Sequence, residues 1–90
     1  MISSQDKKEL RKVSETLKPQ FFIGKAGITP EFITSLKDYF EKYELVKIKS
    51  HSAANTESLT LQAEELAQRI NAQIITKKGF VFTLYKEREE

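Results

Sequence analysis

Apolar positions along this chain change period several times, and each change marks an element. From residue 4 to 17 they recur at helical spacing, with Leu10, Val13 and Leu17 on one stripe and Ser3 or Ser4 able to cap the start. Lys18-Pro19 ends that helix, because proline disfavours helical geometry at the residue before it. Phe21-Phe22-Ile23 then predicts a short, buried strand. Thr29 followed by Pro30 is an N-cap with proline at the first helical position, and Phe32, Ile33, Leu36, Tyr39, Phe40 and Tyr43 form the apolar face of the helix that follows. Leu45 to Ser50 alternates, Val46 and Ile48 pointing one way and Lys47 and Lys49 the other, onto a face that no helix need cover. After a polar stretch from His51, Asn55 or Thr56 caps a third helix running to about Asn71, with Leu59, Ala63, Leu66, Ala67 and Ile70 on one face and Leu61 off it. Gln73–Thr76 and Phe80–Tyr85 predict two strands joined through a turn at Lys77-Lys78-Gly79.

The resulting order, α-β-α-β-α-β-β, contains two βαβ crossovers and a closing hairpin. It predicts an α/β chain of two-layer α+β type, a small four-stranded mixed sheet backed by helices. The pattern has no internal repeat or linker, so residues 1–90 are expected to form one domain, closed by the polar tail Glu87-Arg88-Glu89-Glu90. An apolar fraction of 39% with 10% aromatics excludes a disordered chain. No run approaches the ~20 apolar residues of a membrane span, and the N-terminus lacks the apolar core of a signal peptide. Cysteine is absent, which removes disulfides and thiolate metal sites. A cytoplasmic monomer without membrane, metal or cofactor is the expectation.

Gly24-Lys25-Ala26-Gly27 carries the most chemistry. Between a short strand and a capped helix, glycines let the main chain approach another backbone, lysine neutralises phosphate, and the helix start points N–H groups and a positive dipole end at whatever lies over the loop. This combination suits the backbone of an irregular or single-stranded RNA, and KH domains use a similar loop for that purpose. The net charge of +2 conceals basic residues at Lys7, Lys8, Arg11, Lys12, Lys18, Lys25, Lys47 and Lys49. Lys18 precedes the strand that leads into the loop, and Lys47 and Lys49 project together, so these three are its expected partners. The first-helix lysines are expected to be a solvated face, Lys77 and Lys78 turn residues, and His51, the only histidine, a loop residue. The aromatics are expected chiefly in the core. GxxxxGK[ST] is absent, as is any activated nucleophile or acid–base pair, so neither a nucleoside triphosphatase nor another enzyme, nor a small-molecule substrate, is expected.

With the loop placed in this order, the chain resembles the CRM domain (chloroplast RNA splicing and ribosome maturation) in its stand-alone bacterial, YhbY-like form. The resembling residues are Leu17-Lys18-Pro19, Phe22-Ile23-Gly24-Lys25-Ala26-Gly27-Ile28-Thr29, Glu44-Leu45-Val46-Lys47-Ile48-Lys49 and Gly79-Phe80-Val81-Phe82-Thr83-Leu84-Tyr85. The resemblance implies a fold similar to the C-terminal domain of bacterial translation initiation factor three. It also implies non-catalytic binding of ribosomal RNA or pre-ribosomal particles during large-subunit assembly. The family's loop falls on Gly24, Lys25, Ala26 and Gly27, with Thr29 closing it, and its basic strand on Lys47 and Lys49. The acidic end departs from a basic tail and is not expected to touch RNA. The alternative is a protein-interaction module of a ribonucleoprotein assembly that does not itself contact RNA.

Overall fold

The computed structural model describes residues 4–87. Helix α1 spans Ser4–Thr16, strand β1 Phe21–Ile23, helix α2 Pro30–Phe40 and strand β2 Leu45–Ser50, followed by helix α3 Thr56–Ile70 and strands β3 Gln73–Lys78 and β4 Val81–Tyr85. Ser4 is already helical, so only Ser3 is left as the expected cap of α1, and it lies outside the described residues. The four strands lie in the order β1-β2-β4-β3. β1 and β2 are parallel, joined across α2, while β4 runs antiparallel to both of its neighbours. The second crossover, from β2 through α3 to β3, therefore leaves a gap of one strand, and the closing hairpin returns β4 into it.

Alternation along the central strands explains the core. Val46, Ile48, Phe82 and Leu84 face α2 and α3, where Leu36, Phe40, Leu59, Ala63, Leu66 and Ile70 meet them in one buried cluster with Ile23. Caps set the starts of these helices: Thr29 Oγ1 accepts the Phe32 N–H at 3.1 Å, and Asn55 Oδ1 the Ser58 N–H at 2.9 Å. At its other end α3 stops on Asn71 in the left-handed region, φ 58°. Tyr39 ties α2 to the sheet, its hydroxyl donating to Leu45 O at 2.8 Å and lying 2.9 Å from Gln20 Oε1, and burial lifts the phenol above its usual pKa.

Three expectations need correction. The stripe of α1 is rotated: Val13 is 49% exposed, whereas Ser14 is buried and Leu10 and Leu17 half-buried. Ser14 disposes of its hydroxyl by donating to Arg11 O at 2.8 Å, and its small size lets α1 lie close to the sheet face opposite α2 and α3. That face is thus partly covered, contrary to the expectation for Lys47 and Lys49. Lys77 and Lys78 end β3 instead of forming the turn. The turn is Gly79-Phe80 between the paired Lys78 and Val81, with a positive φ of 60° at Gly79 alone, the sign pattern of a type II′ hairpin.

Thr83 is wholly buried on the α1 side of the sheet, opposite Lys47 in register, and its hydroxyl has no hydrogen-bond partner among the described residues. Thr83→Val keeps the shape and removes the stranded polar atom. The expected result is a gain of about 1 kcal/mol in urea denaturation, and a loss would contradict this description of the site.

Candidate nucleic-acid interface

β1 and β2 are parallel, so their C-terminal ends share one edge of the sheet, and the hairpin end of β3 and β4 joins them there. That edge collects the Gly24–Gly27 loop, the segment from His51 to Asn55, and the starts of α2 and α3. The loop is a tight turn closed by Gly27 N–H donating to Gly24 O at 2.9 Å, with Lys25 and Ala26 exposed at its corners. Ile23 before it lies in the core and Ile28 after it packs on the core, so both ends of the turn are anchored.

The two glycines have different reasons to be there. Gly27 has φ 75°, a left-handed conformation that a side chain would strain. Gly24 has no positive φ, and a Cβ built on it meets nothing within 4 Å. Nothing inside the fold requires glycine at 24.

Register then lines up a row across the sheet. Phe22 pairs with Lys49, Lys49 with Val81, and Val81 with Lys78, all on the face away from the main core. Lys25, Lys49 and Lys78 are exposed, and their side chains make no hydrogen bond or ion pair among the described residues. Lys77 donates to Thr60 Oγ1 at 3.2 Å from the α3 side. Glu31 and Glu57, in the first turns of α2 and α3, temper the positive field at the same edge.

The expected residues separate on this framework. Gly24, Lys25, Ala26, Gly27, Thr29 and Lys49 stand together. Lys18 does not join them, since it precedes β1 and the whole strand separates it from the loop. Lys47 sits one step back in the sheet, where its ammonium donates to Ser14 O at 2.9 Å and Leu17 O at 3.0 Å. It caps the C-terminal end of α1 and neutralises the carbonyls there. The expected anion site at the start of α2 is also reduced: Pro30 has no N–H, Phe32 donates to Thr29 Oγ1 and Ile33 to Thr29 O, leaving only Glu31's N–H from the first turn.

One pair escaped sequence reasoning. Phe22 and His51 stack with ring centroids 5.7 Å apart and planes at 17°. His51 is held by its own N–H, which donates to Ile23 O at 2.8 Å, and by a network behind it. Ser50 Oγ donates to Gln62 Oε1 at 2.7 Å and accepts the Ala53 N–H at 3.1 Å, while Gln62 Nε2 donates to Ser52 Oγ at 2.8 Å. Alternation could have placed Phe22 outside, since Phe21 and Ile23 point in, but no local signal sets His51 beside it.

The family model of the CRS1 / YhbY (CRM) domain matches residues 2–86. The chain belongs to this family. Over its full length it is 28% identical to the protein of Bacillus subtilis (strain 168) named "Probable RNA-binding protein YqeI", covering 93% of that relative. It also superposes on the solution structure of SAV1595 from Staphylococcus aureus, described as a candidate RNA-binding protein, with a TM-score of 0.85 and 28% identity over 100% of this chain and 93% of that one. The three-helix, four-stranded α+β fold is therefore that of the CRM relative as well. Among the described residues no group of three His, Asp or Glu side chains is placed to hold a metal, and no helix is long and apolar enough to cross a membrane.

The two strand lysines of this CRM chain make opposite predictions. Lys47→Met strips two carbonyls at the end of α1 of their donor and is expected to cost about 1–2 kcal/mol in chemical denaturation. Lys49→Met, with no partner to lose, is expected to stay within about 0.5 kcal/mol of the wild type. Equal effects would refute the division of labour between them.

Proposed function

We propose that this chain is a non-catalytic RNA-binding protein that holds the sugar–phosphate backbone over the Gly24–Gly27 turn. The observation that carries the reading is the open space at Gly24, which has ordinary backbone geometry and no neighbour for a Cβ to meet. Glycine there serves an approaching backbone, and Lys25 and Lys49 supply positive charge to either side of it. Thr29 keeps the end of the turn in place by capping α2. Lys47 and Lys18 contribute only to the wider field. Family membership and the RNA-binding names given to YqeI and SAV1595 support the same reading.

The RNA of this proposal is ribosomal, met as a precursor of the large subunit in the cytoplasm, and the protein acts on it as a monomer through one domain. Contacts of this kind grip phosphate and sugar, so they position an RNA without naming its bases and weaken steeply with salt. Crosslinking in cells followed by sequencing of the attached RNA tests the partner, with large-subunit precursors as the expected yield. Sedimentation with ribosomal particles that persists after nuclease treatment would favour the protein-interaction alternative.

Substitutions in the loop test the site. Gly24→Val is expected to leave thermal stability unchanged and weaken RNA binding several-fold, because its new side chain meets only the ligand. Gly27→Ala, forced to φ 75°, is expected to cost about 1 kcal/mol of stability. Lys25→Ala is expected to reduce the slope of log affinity against log salt by about 0.7, the share of one phosphate on a single strand. Filter binding across a salt series measures this, and unchanged affinity in Gly24→Val and Lys25→Ala together would overturn the site.

A further inference from the structure

Phe22 leaves 54% of its surface in water although both of its neighbours in β1 are drawn into or against the core. A single exposed phenylalanine is ordinary on a protein surface. This one has a companion, the imidazole of His51 stacked on it at 5.7 Å, and both rings belong to the edge that carries the Gly24–Gly27 turn. The companion is held in place: His51 is bonded through its main chain to β1, and the loop after it is fastened by Ser50, Ser52 and Gln62. Lys49, the register partner of Phe22, sets an exposed ammonium on the same face, and Lys25 stands at the turn that β1 runs into.

Two pre-arranged rings with cations on both sides match one chemistry closely. A nucleobase offers a flat π-face, and the phosphates before and after it offer negative charge at a spacing that side chains from adjacent strands can reach. We infer that Phe22 and His51 form a stacking platform for one unpaired nucleobase, flanked by Lys49 and the Lys25 turn, and that this platform makes the protein prefer single-stranded to duplex RNA. The inference rests on the RNA reading of the loop and adds to it a selectivity that backbone contacts alone do not give. In a duplex the faces of each base are covered by its neighbours, so the rings have nothing to receive. Stacking tolerates any base, so the preference is for strandedness and not for sequence.

The test uses the full chain and fluorescence anisotropy with a short, unstructured oligoribonucleotide, alone and annealed to its complement. Phe22→Ala is expected to weaken single-strand binding about tenfold, the usual size for removal of one stacked ring, while leaving duplex binding and the salt slope unchanged. Phe22→Trp restores the affinity, whereas Phe22→Leu, apolar but without a π-face, does not. A 2-aminopurine base walked along the oligonucleotide is expected to be quenched at one position in the wild type and released in Phe22→Ala. Far-UV circular dichroism checks that each variant keeps its fold.

Equal losses on single strand and duplex, or no loss in Phe22→Ala, would overturn the platform. If binding then still depends on Lys25, the loop reading stands without it. If the wild type binds neither RNA, both readings fall together. A Phe22→Ala variant that changes its sedimentation in the absence of RNA would make the pair a self-association contact and also overturn the inference.

Discussion

The parallel register of β1 on β2 sets almost everything at the edge that carries the candidate site. Only three residues of β1 take part, Phe21 opposite Ile48, Phe22 opposite Lys49 and Ile23 opposite Ser50. Because side chains alternate, a slip of one residue would carry Phe22 into the core and lift Phe21 and Ile23 out of it. The correct register is held from the core side. Phe21 packs edge-on against Phe32 and Tyr39 at centroid distances of 5.8 and 5.4 Å, and Ile23 is wholly buried. With that register in place, the turn after Ile23 opens beside the end of β2, and Lys49, His51 and Phe22 meet there without any further device.

The opposite face shows how the same strand serves two purposes. Lys47 and Lys49 are two residues apart and point the same way, yet α1 reaches only one of them. Lys47 lies under the helix end and supplies the donor that the last carbonyls lack, while Lys49 lies beyond the helix and keeps its charge free. A groove of about 260 Å³ between α1 and the sheet, lined by Ser14, Glu15, Pro19, Lys47, Thr76, Lys78 and Val81, marks the boundary between the covered and open parts. The position of α1 therefore decides which lysines are tied into the fold and which are left exposed.

Much of this was legible in the sequence. Strand periodicity placed β1 and β2 to the residue, and Thr29-Pro30 and Asn55 set the starts of α2 and α3, because alternation and caps are local signals. The stripe of α1 is not legible in the same way, since a buried serine satisfied by its own helix looks polar in sequence while Val13, which looks apolar, faces water. Lys77 and Lys78 read as turn residues because they adjoin Gly79, but a two-residue type II′ turn needs only Gly79 and Phe80. At the candidate site the glycine turn was visible and the Phe22–His51 pair was not, being made by residues 29 positions apart whose meeting depends on strand register. The role of Lys47 was hidden for the same reason: its partners, Ser14 and Leu17, belong to another element.

The central claim is that one edge of this sheet, and not the molecule's general basicity, holds RNA. Titration of the isotopically labelled protein with a single-stranded oligoribonucleotide, followed through its backbone amide resonances, tests it most directly. The account predicts that shifts concentrate at residues 22–29, 49–53 and 77–81, with α1 and the outer face of α3 around Leu61 left unmoved. Shifts centred on the opposite edge, where Lys37, Arg69 and Lys86 gather at the ends of α2, α3 and β4, or spread evenly over every lysine, would contradict it.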